Sequence, residues 1–466
     1  MGSTSDSYSS SQETLATLES NTIYDFIPSY INLGFQKELK LKIIRDTTNP
    51  VVLEILGSEK FGFIENKVRS KCWHCLLSRQ LRLENSRNND VLIDHPDENQ
   101  INLDVKRSFS FVENTKHRDF LKDLLSRIII GIFRKHPKLR YYQGYHDIVS
   151  LFILVWHSNE EVDLSLSTMI LSAVDAQFDT VFECVEIFTL VYLRDFMMNS
   201  LDFPIDQLKL ISHLIKEKDP DLYHSMKLDK ISPFFAISSI LTFFSHDLKP
   251  TNENSIIWEI FDLIISKNSS FIPILIFTNF ILMQKQKLID QINLNTENFD
   301  NETDLIHASI QQILLTSISN ENFFFKIMTI TRLNYNRDVK LLSKVLFDSR
   351  IINCGSPLLT TAKGNNKTLF DTKDIDNLID KQIKINGTRK NIRQTNTRFN
   401  IVLYHVINNK HLLVKLSILV GLLAIISKFS NRNLIWETYH KTKKVWLDPL
   451  HCLLHNPTSY LYSNNN

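Results

Sequence analysis

The stretch "FLKDLLSRIIIGIFRKHPKLRYYQGYHDI", Phe120 to Ile148, carries the period that decides the fold. Apolar residues recur at Leu121, Leu124, Leu125, Ile128, Ile129, Ile132 and Phe133, while Lys122, Asp123, Arg127 and Arg134 fill the other side. That spacing predicts an amphipathic helix over 120–136, and Pro137 ends it. A second, more uniformly apolar helix is expected to start near Asp147, itself a candidate N-cap. Between them lies Tyr141-Tyr142-Gln143-Gly144, which is either a turn between two buried helices or a site.

Outward from this pair, helical periodicity recurs over 35–56 with a break at Asn49-Pro50, then over 62–77, 164–176, 182–199, 205–217, 233–244, 254–266, 272–284, 304–319 and 322–329. No alternating strand pattern of any length interrupts these stretches, and no internal repeat of solenoid length is evident. Only 10 Gly and 12 Pro occur in 466 residues, which favours long helices over many short strands. The sequence therefore reads as all-α, with one large helical domain at 35–350 behind a polar, Ser-rich segment at 1–34. A polar, Asn- and Lys-rich linker is expected at 351–410, an apolar helix at 411–430 and a tail at 431–466. The uncharged part of "HLLVKLSILVGLLAIISKFS", Leu416 to Ser427, is shorter than the ~20 residues that span a bilayer. Counting from Leu412, with Lys415 and Lys428 snorkelling, brings it near the lower limit of roughly 17.

Hydrophobic residues make up 43% of the chain and charged residues 22%, an ordinary balance for a folded core. The net charge of +2 gives no reason to expect a nucleic-acid partner. Five cysteines, Cys72, Cys75, Cys184, Cys354 and Cys452, point to a reducing compartment without a disulfide framework. Cys72-Trp73-His74-Cys75 has the spacing of half a zinc site, but no second pair follows and the residues sit in a helical apolar pattern, so no metal is expected there. The N-terminal segment lacks an apolar stretch of signal-peptide length, so secretion is not expected.

Phosphate-binding Gly-rich loops, a nucleophile elbow and a His-Glu-x-x-His motif are all missing from the sequence. Two His-Asp dipeptides occur, His146-Asp147 and His246-Asp247. Such pairs serve metal-dependent phosphohydrolases of all-helical build, since imidazole and carboxylate suit Mn, Fe or Zn; the plainer reading is capping and packing. The other constellation sets Arg107, in "INLDVKR" (Ile101–Arg107), against Gln143. Arginine is permanently charged and its donor fork fits phosphate oxygens. Glutamine both donates to and accepts from one water, which aims a nucleophile without deprotonating it. A slow GTPase needs both services. Taken singly, however, the arginine reads as a surface ion pair and the glutamine as a helix cap.

Together and in order, Ile101-x-x-Asp104-x-x-Arg107 and Tyr141-x-Gln143-Gly144 resemble both fingerprint motifs of the TBC-domain family, the GTPase-activating proteins of Rab GTPases. Gly62-Phe-Ile-x3-Val68-Arg69-x3-Trp73 is similar to the family's opening helix, and "FFAISSILTFFSHDL" (Phe234–Leu248) and "IWEIFDLII" (Ile257–Ile265) resemble its later core helices, so the likeness spans about residues 40–350. The resemblance implies an activator, not an enzyme, that binds a GTP-loaded Rab and supplies Arg107 and Gln143 in trans. GTP and Mg²⁺ are then expected on the Rab, and no cofactor on this chain. Asp104 and Tyr141 are expected to support the two fingers, Ile101 to belong to the same motif, Gly144 to allow close approach of backbones, and Arg69 to form a buried ion pair. Where the family usually carries two tryptophans, this chain has Ser239 and Phe243, and Ser239 is expected to fill less of the core. "HPKLRYYQGYHDIVSLFIL" and "YLRDFM" (Tyr192–Met197) resemble the membrane-anchored TBC proteins of the early secretory pathway, their fungal members above all. That likeness implies a Rab of ER-to-Golgi traffic, a C-terminal anchor at 411–430 and a location on the cytoplasmic face of the ER or Golgi. A TBC-like module that grips a Rab without catalysis is the alternative within the fold; the His-Asp phosphohydrolase is the alternative outside it.

Overall fold

The helix over which the sequence reads most clearly runs from Thr115 to Lys135, 21 residues. The computed structural model describes residues 33–83, 93–157, 168–295, 302–318, 320–349, 351–361 and 370–389. The expected anchor at 411–430 and the tail lie outside these residues. The first helices are α1 (Leu33–Asp46), α2 (Pro50–Ser58), α3 (Asn66–Leu77), α4 (Glu98–Arg107), α5 (Thr115–Lys135) and α6 (Tyr145–Trp156). Then come α7 (Thr168–Phe188), α8 (Asp202–Lys218), α9 (Pro220–Ser225), α10 (Ile237–Leu241), α11 (Ile256–Lys267) and α12 (Ile272–Met283). The series closes with α13 (Lys285–Asn295), α14 (Glu302–Ile318), α15 (Glu321–Ser349), α16 (Pro357–Thr361) and a helix at 372–389. Two-residue strands, β1 (Leu81–Arg82) and β2 (Phe370–Asp371), pair in parallel and form the one sheet among the described residues.

The seven apolar residues of α5 named above are the seven that it buries. Asn114 caps its first turn by accepting from the His117 amide at 3.1 Å. The break before α2 also falls where Asn49-Pro50 puts it: Asn49 accepts from the Val51 amide at 2.9 Å, and Pro50 occupies a first-turn position where its missing N–H costs nothing. Other boundaries differ from the sequence reading. The expected helix at 62–77 begins only at Asn66, because Phe61, Gly62 and Ile64 all take positive φ. Stretches 164–176 and 182–199 are not two helices. The first continues unbroken to Phe188, and Thr189–Leu193 and Arg194–Met197 then form a π turn and a 3₁₀ turn. The helix expected over 233–244 stops at Leu241, and Phe243 and Phe244 turn left-handed. The helix at 322–329 runs on to Ser349.

Aromatic rings fill the interior of the first domain. Trp73 on α3 packs at 5.0 Å from Phe152 on α6 and 6.0 Å from Phe261 on α11, and Phe188 on α7 lies 5.1 Å from Phe152. Phe243 packs 6.0 Å from both Phe188 and Phe196, so it takes a core position. Ser239 is buried and donates to Asp247 at 2.6 Å, so it serves as a polar partner for a half-buried carboxyl.

Two buried carboxylates tie distant segments together. Asp262 on α11 accepts from Arg69 Nε at 3.1 Å, from the Trp73 indole at 2.8 Å and from the Phe63 amide at 2.8 Å. Both charges are nearly inaccessible, with 1% and 0% side-chain exposure. Burial pushes the pKa of Asp262 upward, and Arg69 with the two N–H donors opposes it. Gly62 is needed beside this pair, since a Cβ there would stand 2.1 Å from an Asp262 carboxylate oxygen and φ is +51°.

The second carboxylate corrects the domain reading. Asp195 accepts from Gln207 at 2.6 Å, from Asn353 at 3.1 Å, and from Ser356 and Gln382. Residues 351–361 and 370–383 are therefore not a free polar linker. Their polar side chains are donors to a buried acid, and Leu358, Ile375 and Ile379 are buried with them. The stretch looked like a linker because several of its buried residues, Asn353, Ser356 and Gln382 among them, are polar.

Asp262→Ala leaves Arg69 charged and unpaired in the core, a change that typically costs about 3–5 kcal/mol. Urea unfolding should show a loss of that size. A change below about 1 kcal/mol would mean that the pair is solvated in solution.

Candidate functional site

Helices α4, α5 and α6 build the site. α4 ends at Arg107: Ser108 takes an extended backbone and its hydroxyl donates to the Asp104 carbonyl at 3.1 Å. Ile101 is fully buried and anchors the inner face of α4, one turn before Asp104. Asp104, three residues ahead of Arg107, therefore points inward while Arg107 points out. Their side-chain exposures are 0% and 61%, and the guanidinium donates to Asp104 Oδ1.

The other oxygen of Asp104 reaches the turn between α5 and α6. Tyr141 Oη donates to Asp104 Oδ2 at 2.8 Å, and the Tyr141 amide donates to Asp97 at 3.0 Å. Burial, and then the hydrogen bond to Asp104, push the Tyr141 pKa upward, so the phenol keeps its proton. On either side of Tyr141 the turn is pinned further. The Arg140 amide donates to the Met197 carbonyl at 2.9 Å, and Tyr142 Oη donates to the Leu241 carbonyl at 2.9 Å. Gly144 then caps α6 with φ 105°, and a Cβ there would sit 2.7 Å from the Thr242 methyl. The N-cap of α6 is thus Gly144 and not Asp147, which falls in the first helical turn. On this pinned turn Gln143 is exposed, and its side chain makes no hydrogen bond among the described residues.

The structure brings Arg107, Asp104, Tyr141, Gly144 and Gln143 to one region, with Arg107 and Gln143 as its exposed members. Arg69 belongs elsewhere, in the Asp262 pair, and shares no partner with either. Beside Arg107 a small solvent-open cleft of about 100 Å³ is lined by residues 107–111, by His146 and Asp147 at the start of α6, and by Ser245, Lys249 and Pro250.

The structure also joins the two His-Asp dipeptides, which stand 100 residues apart in the chain. His246 Nδ1 lies 3.0 Å from Asp147 Oδ2, and Lys249 donates to Asp147 Oδ1 at 2.7 Å. Burial works to raise the Asp147 pKa, but His246, His146 and Lys249 outweigh it and hold the carboxyl below its ordinary range. Asp247 turns away to Ser239. The four residues of the dipeptides are thus spent on an ion pair, a packed imidazole and a half-buried acid. Among the described residues no group of three His, Cys, Asp or Glu is arranged to hold a metal ion. Cys72 is buried and Cys75 half-buried, both as free thiols. Lys249 is a site residue that the sequence reading did not name, because nothing in the chain order links α6 to the segment after α10; His146 was read there only as a candidate ligand or as capping and packing.

This is the architecture of a TBC domain: residues 66–289 match the Rab-GTPase-TBC domain family. Over 460 residues the chain is 34% identical to GTPase-activating protein GYP8 of Saccharomyces cerevisiae, across 90% of this chain and 91% of that protein. It is 32% identical over 241 residues to GTPase-activating protein gyp10 of Schizosaccharomyces pombe, across 50% of this chain and 57% of that one. With TBC1 domain family member 20 of Homo sapiens it shares 26% identity over 257 residues, 54% of this chain and 58% of that one. The chain belongs to the TBC-domain family, the GTPase-activating proteins that act on Rab GTPases, and its resemblance to the fungal members is matched by these relatives.

The two histidines of the site should titrate on opposite sides of the ordinary value. Burial lowers the pKa of His146, and the hydrogen bond to Asp147 raises that of His246. The His246–Asp147 attraction is then complete below the ordinary histidine value and is lost as pH rises through the raised one. Histidine-labelled NMR across that range measures both, and a His146 pKa above that of His246 would contradict the geometry. Separately, Gly144→Ala should destabilise the protein by roughly 1–2 kcal/mol, from left-handed strain alone. Thermal unfolding reads that cost directly.

Proposed function

We propose that this chain accelerates GTP hydrolysis by lending two side chains, Arg107 and Gln143, to the active site of a Rab. One observation carries the reading. Both residues are exposed, yet the segments that bear them are locked to each other through a single buried carboxylate, with Arg107 on one oxygen of Asp104 and Tyr141 on the other. Exposed side chains on a rigid mount suit work on a partner's atoms. Arg107 reaches toward the β/γ-phosphates and neutralises charge that develops in the transition state. Such a finger is worth about 10³–10⁵ in rate, or roughly 4–7 kcal/mol. Gln143 orients the attacking water in place of the GTPase's own glutamine. The nucleotide and its Mg²⁺ belong to the Rab, and the chain acts as an activator with no chemical step and no cofactor of its own.

The place of action that we propose is the cytoplasmic face of an early secretory membrane, ER or Golgi, on a Rab of ER-to-Golgi traffic. The likeness of "YYQGYHDI" and "YLRDFM" to membrane-anchored TBC proteins supports this, as does the apolar stretch at 411–430. No helix among the described residues is long and apolar enough to cross a membrane, and 411–430 lies outside them.

Single-turnover GTP hydrolysis by a panel of GTP-loaded Rabs checks the mechanism. Arg107→Ala should lose about 10³-fold or more of the stimulated rate, and Gln143→Ala should also lose heavily, with Rab binding kept in both. Unchanged rates in both variants would exclude the two-finger account and leave a binding module. For the anchor, full-length chain should pellet with membranes and a chain lacking 411–466 should not; full-length chain in the supernatant would contradict it.

A further inference from the structure

The His-Asp dipeptide next to the glutamine has so far been given no part in the work of the site. His146 is almost enclosed, with 12% of its side chain exposed. Its Nδ1 lies 3.2 Å from Tyr141 Oη and 3.7 Å from Asp104 Oδ2. Its Nε2 stands 3.8 Å from Asp147 Oδ2, which already receives His246 at 3.0 Å. The imidazole therefore touches the tyrosine that bridges the two finger-bearing segments.

Proton counting fixes its role. The Tyr141 hydroxyl has one proton, and the Asp104 carboxylate, paired with Arg107, can only accept. The phenol proton therefore goes to Asp104, and the tyrosine oxygen is left as an acceptor. His146 Nδ1 can meet that oxygen only by donating, so the imidazole is the Nδ1–H tautomer. Burial lowers the His146 pKa and favours this neutral form. The result is a directed chain of hydrogen bonds: His146 donates to Tyr141, Tyr141 to Asp104 Oδ2, and Arg107 to Asp104 Oδ1.

We propose that His146 is a positioning residue for the arginine finger, which fixes the Tyr141 hydroxyl on Asp104 and so holds the carboxylate in the orientation that presents Arg107. Without that donor the hydroxyl is free to swing, the carboxylate loses its fixed rotamer, and the exposed guanidinium loses its one mount. The imidazole never meets the nucleotide; it acts through two other side chains. This inference rests on the two-finger reading of Arg107 and Gln143.

The test uses three replacements of different shape in the full-length chain. In His146→Asn the amide nitrogen falls close to the position of Nδ1. In His146→Gln it falls near that of Nε2. His146→Leu keeps bulk and removes both. At saturating activator, His146→Leu should slow single-turnover GTP hydrolysis about two- to tenfold, the worth of one ordinary hydrogen bond. The activator concentration for half-maximal effect should stay unchanged. His146→Asn should recover most of the rate and His146→Gln little of it. In an Arg107→Ala background, His146→Leu should cost nothing further, because it acts through the residue already removed.

A full rate for His146→Leu, equal rescue by Gln and Asn, no rescue by either, or an additive loss with Arg107→Ala would each overturn the proposal. If Arg107→Ala itself keeps the rate, the finger reading has failed instead, and the two failures are told apart within one experiment. Thermal unfolding of each variant guards against loss of fold: a rate loss that tracks the melting temperature across Leu, Asn and Gln also counts against a positioning role.

Discussion

The structure of the site depends on the Asp104 carboxylate. It has two oxygens with two lone pairs each and no exposure to water, and Gln100 on its own helix adds a third donor at 3.3 Å to Oδ1. On Oδ1 it takes the guanidinium at the end of its own helix; on Oδ2 it takes a phenol from the turn between α5 and α6. A buried carboxylate without such donors would cost several kcal/mol, so the folded state favours the geometry that brings α4 and the turn together. Two exposed residues from segments 36 positions apart thus acquire a common frame. A Rab that met loose side chains would have to order them at the transition state, and that ordering cost falls directly on the rate.

The frame itself is held by two other buried acids that do no work on a partner. Asp262 fixes α3 to α11 through Arg69 and Trp73, and Asp195 draws Asn353, Ser356 and Gln382 onto the turn after α7. Each follows the same physical rule: a charge taken out of water gathers enough donors to replace its hydration. The difference lies in where the donors end. Around Asp262 and Asp195 every donor is enclosed. Around Asp104 one of them, Arg107, continues into solvent, and under the proposed function that difference separates a structural acid from one that mounts a finger.

Much of this was legible in the sequence. The buried face of α5 follows from its three-to-four spacing, and Pro50 and Pro137 mark the ends they dictate. Arg107, Gln143 and their motif partners were singled out through the family resemblance, since taken singly the arginine reads as a surface ion pair and the glutamine as a cap; what the structure adds is Asp104 between Arg107 and Tyr141. The rest was hidden for physical reasons. The Asp195 cluster draws on donors more than 150 residues away, so its polar segments looked like linker. The left-handed turn at Phe243 and Phe244 has no glycine to announce it. Ser239 looked like a missing ring and is instead a hydrogen-bond donor to Asp247. The link between His246 and Asp147 spans 99 residues and had no local signal at all.

The most direct measurement is a structure of this protein bound to a Rab that carries GDP and aluminium fluoride, a mimic of the phosphoryl group in transit. The account predicts that Arg107 reaches a fluoride and the Gln143 amide holds the water in line with it, while Asp104 still joins Arg107 to Tyr141. An Arg107 turned away from the nucleotide, or a water held by the GTPase's own glutamine with Gln143 at a distance, would contradict it.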